Sequence, residues 1–157
     1  MTEPAIAIDR PTPEGEHTGE HAVAGGAMVA LSADGRHVAL VRDGALLVDG
    51  ARVEIAGEAI AAAVLEREVW CVVRDATEHR LERIGFDGAS VGAATPLGAL
   101  GARVSLAAAR RGAHALVSGA RDLELRAHGG GLAVGDLGAR GPDARILVPG
   151  RGVLERR

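Results

Sequence analysis

The 157-residue sequence contains no lysine, asparagine, glutamine or tyrosine, and all 18 of its basic residues are arginine. The four missing amino acids have AT-rich codons, so we attribute this bias to a GC-rich genome. The absence of lysine also excludes a phosphate-binding P-loop, because that loop requires a lysine after its last glycine.

Aromatic residues are almost absent, since Trp70 and Phe86 are the only two in the chain. The hydrophobic core must therefore consist of Ala, Val, Leu and Ile, and little remains to stack on a base or a sugar ring. A net charge of −3 also argues against nonspecific binding to DNA. We expect no nucleic-acid partner.

The chain has a single cysteine and no long apolar run. Cys71 lies inside the apolar segment 69–73, which predicts a buried small hydrophobe and not a reactive thiol. No apolar run approaches the length of a membrane span. The first residues are acidic where a signal peptide needs basic ones, so we predict a cytoplasmic protein that does not associate with membranes.

Residues 29–49 carry the clearest structural signal. Three short apolar runs are separated there by Asp34-Gly35 and by Asp43-Gly44. Asp-Gly between alternating hydrophobic residues is a strong hairpin signal, so the segment predicts an antiparallel meander. The pattern returns 32 and 76 residues later, and each copy has a turn that contains Arg-Asp. This spacing is typical of a repeated sheet unit.

Ser32–Arg36, followed by His37–Leu40 and by Asp43-Gly44, resembles a β-propeller blade of the WD40 and YVTN kind. The resemblance implies four-stranded blades whose loops form interaction surfaces. The chain is also similar to the propeller components of bacterial ternary systems that contain a MoxR-type ATPase and a von Willebrand A domain. A protein partner of one of those two classes is the expectation that follows.

We therefore predict an all-β fold, a small or partial β-propeller of about four blade-like antiparallel meanders. The predicted repeats are 27–56, 59–94, 103–138 and a partial repeat at 144–157, within one domain that spans 22–157. Residues 1–21 are predicted to be an acidic, largely disordered tail with a candidate closing strand at 5–8. Open sheet edges need cover. Either this tail closes the ring, or a second copy of the chain in a homo-oligomer does so, or a different protein does so.

One segment gives conflicting signals. Residues 58–68 are rich in Ala and Glu, which favour helix by intrinsic propensity. The repeat instead aligns them with the first apolar run of the first copy, and we predict a strand followed by a turn. The other predicted strands are 27–31, 37–41, 45–48, 52–55, 69–74, 80–84, 89–93, 104–108, 114–118, 123–127, 132–135, 144–148 and 153–154.

Candidate catalytic and metal-binding residues are few. His17 and His21 are four residues apart, but Gly19 between them and the polar context indicate a solvated tail and not a metal site. His37 and His114 are predicted to be structural histidines at the start of equivalent strands. The serines lack a nucleophile elbow. We predict no enzyme activity and no cofactor.

The three Arg-Asp pairs are the candidate interaction residues. If they occupy equivalent turns, they project from one face of the ring and can dock a partner. The simpler interpretation is turn chemistry and solvated loop charges. We expect a non-catalytic scaffold or adaptor for protein–protein interaction, or alternatively a small-ligand module with its site at the ring centre or between protomers. The candidate residues are Arg42, Asp43, Arg74, Asp75, Arg121 and Asp122.

Overall fold

The computed structural model describes residues 20–23, 27–109, 112–128, 131–139, 145–148 and 152–155, with side chains in 27–109, 112–128 and 131–139. All regular elements in these ranges are β-strands, which confirms the all-β prediction. The strands are β1 (Glu20–Val23), β2 (Ala27–Leu31), β3 (Val38–Arg42), β4 (Ala45–Val48), β5 (Ala51–Val53), β6 (Glu58–Val64), β7 (Glu68–Asp75), β8 (Glu78–Gly85), β9 (Thr95–Gly98), β10 (Ser105–Ala108), β11 (His114–Ser118), β12 (Arg121–His128), β13 (Gly131–Ala139), β14 (Arg145–Val148) and β15 (Gly152–Glu155).

These strands form three antiparallel meanders and a hairpin. The first sheet has the order β1-β2-β3-β4-β5, the second β6-β7-β8-β9 and the third β10-β11-β12-β13. Strands β14 and β15 pair with each other in a separate two-stranded sheet, at the position of the predicted fourth repeat. Each strand thus pairs with its neighbours in the sequence, as short hairpin connections require.

Tight turns with a left-handed backbone set the strand order of the first sheet. Asp43 and Gly44 have φ angles of 50° and 77°, and Asp49 and Gly50 have φ angles of 50° and 87°. Two consecutive residues with positive φ are the requirement of a type I′ hairpin turn, and Asp and Gly tolerate it best. The Asp-Gly steps therefore connect β3 to β4 and β4 to β5.

The second sheet lies between the other two and buries both of its faces. Strand β6 is close to β2, β3 and β4 of the first sheet and to β10 of the third. The core cluster between the first and second sheets contains Ala30, Ala39, Val41, Leu46, Val48, Val53, Ala59, Ala62, Val64, Val69, Cys71, Val73 and Ile84. The cluster between the second and third sheets contains Ala61, Ala63, Leu65, Trp70, Val72, Leu81, Leu97, Leu100, Val104, Leu106, Ala108, Ala115, Val117, Leu123 and Leu125.

Strand β6 confirms the strand prediction for residues 58–68. Ala61, Ala62 and Ala63 are each at most 5% exposed, and successive residues point into different core clusters. A bulge between Ala59 and Ala61 interrupts its pairing with β7. Burial of apolar side chains on both faces therefore outweighs the modest helix propensity of alanine.

The predicted strand at 89–93 is wrong. That segment forms a single bridge to the sheet, Ser90 opposite Ile84, with the Val91 N–H donating to the Arg83 carbonyl at 2.8 Å. The Gly85 N–H donates to the Ala89 carbonyl at 2.8 Å, which folds the chain into a tight loop directly after β8. The fourth strand of the second sheet is consequently β9, which begins at Thr95.

The N-terminal predictions fall mostly outside the described residues. Strand β1 begins at Glu20, at the end of the segment 1–21 that we predicted as a tail, and it pairs with β2 from Glu20 to Val23. The candidate closing strand at 5–8 lies outside the described ranges, as do His17 and the side chain of His21. The first sheet is thus extended by a strand that the repeat pattern did not predict.

Candidate interaction face

The first Arg-Asp pair occupies the turn between β3 and β4. Arg42 is the last residue of β3 and Asp43 the first residue of the turn, and both are exposed. Asp43 adopts φ 50°, a conformation that aspartate tolerates because its short side chain bonds locally. This pair therefore projects into solvent, as the sequence predicted.

The second pair ends strand β7. Arg74 and Asp75 are its last two residues, and Asp75 is exposed. The Arg74 guanidinium forms an ion pair with Glu58 across the sheet, with an Nη2–Oε1 distance of 2.7 Å. Glu58 is the residue directly opposite Arg74 in the β6–β7 register. Arg74 is thus held in place, and Asp75 is exposed, with Oδ2 4.0 Å from Nη1 of Arg80.

The third pair begins β12 and differs from the other two. The Arg121 side chain is half-exposed and donates to Asp136 of β13, with an Nη2–Oδ2 distance of 2.5 Å. This hydrogen bond, together with one from the Gly138 N–H, lowers the pKa of Asp136. Asp122, in contrast, is fully buried, so it does not contribute to the exposed surface.

Hydrogen bonds, together with the Arg74–Glu58 ion pair, link these three turns along one side of the molecule. The Ala59 N–H donates to the Gly44 carbonyl at 2.9 Å, which ties the β3–β4 turn to the start of β6. The Leu100 N–H donates to Nδ1 of His79, beside the β7–β8 turn, at 3.1 Å. The Ala120 N–H donates to the Leu100 carbonyl at 2.8 Å. We call the surface formed by the β3–β4, β7–β8 and β11–β12 turns the turn face.

The sequence did not identify the acids that pair with the arginines of the turn face. Glu58 can be found once β6 and β7 are aligned, because cross-strand partners share a face of the sheet. Asp136 is harder to find, because a register shift between Asp122 and Leu123 moves β13 relative to β12. Arg42 has no such partner among the described residues, and it is the arginine of the turn face best placed to meet a partner's acid.

The opposite end of the sheets carries a small cavity. Its walls come from the end of β2 and from the chain that follows β6 and β10, and its volume is about 140 Å³. The Asp34 carboxylate at its rim accepts hydrogen bonds from the Ser32 hydroxyl and the Arg36 N–H, which lower the pKa of Asp34. The lining residues are Ser32, Ala33, Asp34, Val64, Leu65, Glu66 and Ala109.

The two predicted structural histidines each contact a carboxylate. His37 Nδ1 lies 2.7 Å from Asp49 Oδ2, and the imidazole stacks on Phe86 with ring centroids 3.6 Å apart. His114 Nε2 lies 2.7 Å from Glu124 Oε2. The stacking joins the first sheet to the loop after β8, so His37 stabilises the contact between two sheets.

Cys71 is buried as predicted, and burial raises the pKa of its thiol to about 12. A thiol with this pKa carries almost no thiolate at neutral pH and is a poor nucleophile. Within the side chains that the structure describes, no three His, Cys, Asp or Glu residues converge in a way that could hold a metal ion.

Comparison of the chain with models of known families, with curated proteins and with solved structures finds no match. In the described ranges, no helix is long and apolar enough to cross a membrane.

Proposed function

We propose that this chain is a non-catalytic, propeller-like scaffold of bacterial origin that binds a protein partner through its turn face. The observation that supports this proposal best is the position of the three turns along one hydrogen-bonded side of the molecule. A rigid support under exposed loops is the usual way in which folds present binding residues. An ATPase or a von Willebrand A-domain protein is the partner class that the sequence resemblance implies.

The stacking of the sheets is consistent with the propeller part of the proposal. Three successive antiparallel meanders of five, four and four strands follow one another along the chain, and β6 of the second is close to β2 of the first and β10 of the third. Strands β14 and β15 would begin a fourth meander. Radial repetition of this kind leaves only short edges in solvent, which suits a soluble scaffold.

The charges of the turn face favour a protein partner over a nucleic acid. Arg74 and Arg121 are already paired with acids, while Arg42 and Asp75 are exposed and of opposite sign. Nucleic-acid binding requires an excess of unpaired basic residues, because affinity comes mainly from phosphate contacts. Mixed exposed charges instead provide specificity in docking to a protein surface.

A small-ligand module is the alternative, and the cavity at the opposite end is the feature that favours it. Its volume of about 140 Å³ is below the roughly 300 Å³ at which ligand pockets begin. The Asp34 carboxylate at its rim is also engaged by its own loop. The turn face is therefore the better supported candidate.

The proposal predicts that the Arg42→Glu variant loses its partner. Arg42 is exposed at the end of β3, so the substitution should leave the fold intact. Arg36→Glu is the matched control, because the Arg36 side chain is 81% exposed in the turn at the other end of the same sheet. Tagged wild type and both variants should be incubated with lysate of the source bacterium, and the retained proteins quantified by mass spectrometry.

We expect one or a few proteins to be retained by wild type and by Arg36→Glu, and to decrease about tenfold with Arg42→Glu, which corresponds to about 1.4 kcal/mol. Binding of the purified candidate to the three proteins by calorimetry then measures the same difference directly. Equal retention by both variants would contradict a role for the turn face, and no retention by wild type would contradict the scaffold function.

A further inference from the structure

Strands β5, β9 and β13 form the outer edges of the three meanders. These edges differ in how well they are protected against pairing with another strand. Strand β5, at the edge of the first sheet, has three residues, and Arg52 in it is exposed. Strand β9, at the edge of the second, has four residues and contains Pro96. Short edges, charges and proline are the usual devices that prevent edge-to-edge association. These two edges are therefore protected.

Strand β13, at the edge of the third sheet, is less well protected. It runs for nine residues from Gly131 to Ala139, without proline, and Asp136 is its one charged residue. That charge is already paired with Arg121. Val134 is 40% exposed on this strand. A long edge with an exposed β-branched residue is a template for pairing with another strand.

We propose that two copies of this chain associate through the outer edges of their β13 strands, so that two third sheets join in one antiparallel sheet with two-fold symmetry. In the part of the chain that the structure describes, β12 is the strand that pairs with β13, and it does so on the inner side. The association is independent of the turn face, and it remains possible to test if the scaffold proposal fails.

The sequence of β13 is compatible with pairing to itself. Two-fold symmetry pairs each residue with one whose side chain lies on the same face of the sheet. The symmetry axis therefore passes through a residue and not between two residues. The stretch before the register shift with β12 is 131–136, and a register centred on Ala133 uses this regular part. Leu132 then lies opposite Val134 of the partner subunit, and this apolar pair occurs twice. Cross-strand apolar pairs of this kind stabilise sheets.

The same register avoids unfavourable contacts. Ala133 lies opposite its own copy at the symmetry axis, and Gly131 lies opposite Gly135 of the partner subunit, so no large side chains collide on that face. Asp136 lies beyond the paired residues and keeps its contact with Arg121. In this isologous contact each copy uses its own β13 edge, so no β13 edge remains for a third copy and the association stops at two.

The experiment measures the mass of the full chain by light scattering and sedimentation over a wide concentration range. We expect the mass to rise to twice that of one chain with concentration. The Val134→Lys variant should remain a monomer throughout, because a lysine at the edge opposes pairing. Leu31→Lys is the matched control, since Leu31 is also 40% exposed but lies on β2 of the first sheet. It should dimerise like wild type.

A cysteine variant keeps the test valid if Val134→Lys does not fold. Ala133→Cys places two thiols across the symmetry axis, so a short thiol crosslinker should give a covalent dimer. Ala107→Cys, exposed on β10 at the other edge of the same sheet, should not. Cys71 is buried and should not react in the folded protein. A monomer at all concentrations, open-ended assembly, or loss of the dimer in Leu31→Lys alone would overturn the proposal.

Discussion

The second and third sheets are both four-stranded meanders, but strands β7 and β12 within them have different burial patterns. In β7, the five consecutive residues Val69–Val73 are all fully buried. In β12, Leu123 and Leu125 are buried, Glu124 is half-buried and Arg126 is exposed. Strand β7 is covered on both faces and β12 on one, although Leu116 of β11, opposite Glu124, is buried on the other face of the third sheet. Burial patterns in a strand thus report how many faces are covered, and not strand propensity.

The same difference extends to the polar residues of the two sheets. Glu68 of β7 accepts hydrogen bonds from Trp70 Nε1 at 2.6 Å and from Arg83 Nε at 2.5 Å, and its side chain is 13% exposed. Glu124 of β12 contacts His114 at 2.7 Å and accepts from Arg126 at 3.0 Å, and its side chain is 27% exposed. Each glutamate thus contacts one arginine and one ring nitrogen, but the Glu68 side chain is more deeply buried than that of Glu124.

The largest expected effect is that of Glu68→Ala. The substitution removes the acceptor of the buried Trp70 N–H and the carboxylate that faces Arg83, whose side chain is 12% exposed. Removing one partner of a buried ion pair is strongly destabilising because it weakens the compensation of the other charge. We expect the free energy of unfolding to fall by about 3 kcal/mol, as measured by urea denaturation.

Glu66→Ala is the control for Glu68→Ala, because Glu66 is exposed two residues earlier, in the β6–β7 turn. We expect its free energy of unfolding to stay within about 0.5 kcal/mol of wild type. A similar small change for Glu68→Ala would mean that the second sheet is no more sensitive at this site than a solvated turn. The difference in burial between the sheets would then have no measurable effect on the free energy of unfolding.

A second prediction concerns His79, which is buried between the second and third sheets. Burial lowers the pKa of His79 from its ordinary value of 6.5. The unfolded chain therefore binds a proton more readily than the folded protein. The contribution of His79 to the free energy of unfolding is complete above pH 6.5. It is lost as the pH falls towards the lower pKa of His79 in the folded protein. The slope of this loss is at most about 1.4 kcal/mol per pH unit for one proton.

His79→Asn tests this prediction, because the asparagine oxygen can replace Nδ1 as acceptor of the Leu100 N–H. The free energy of unfolding of both proteins should be measured from pH 8 to pH 5. We expect the wild type to lose more stability below pH 6.5 than the variant, since all other histidines are common to both proteins. If wild type and variant lost stability equally as the pH falls, His79 would make no contribution to the pH dependence of the free energy of unfolding.

Much of the strand pattern was predictable, because its determinants are local. Asp-Gly steps favour positive φ, and this preference marked the turn at Asp43-Gly44 correctly. The loop after β8 was not predictable in the same way. Its course depends on the hydrogen bond from Gly85 to Ala89, and the apolar run near Val91 resembled a strand. Local sequence therefore indicated the number of meanders but not each boundary.

The candidate site was predictable only in part. Arg42 and Asp43 are exposed at a turn, as their Asp-Gly context indicated. The sequence pattern treated Asp122 as equivalent to Asp43, but Asp122 is buried because it lies within β12 and not in the turn before it. Whether a residue belongs to a strand end or to a turn depends on register, and register depends on contacts with distant residues.

The smallest expected effect is that of Glu124→Ala in the third sheet. Hydrogen bonds from Arg126 and then from His114 lower the pKa of Glu124, so its contribution to stability is present at neutral pH and is lost as the pH falls through the folded value. Arg126 is 63% exposed, and water and salt screen its charge. We expect a loss of about 0.5 kcal/mol in the free energy of unfolding, smaller still at high salt. A loss equal to that of Glu68→Ala would imply that another chain or segment covers this face of the third sheet, and the contrast between one-sided and two-sided burial would have to be abandoned.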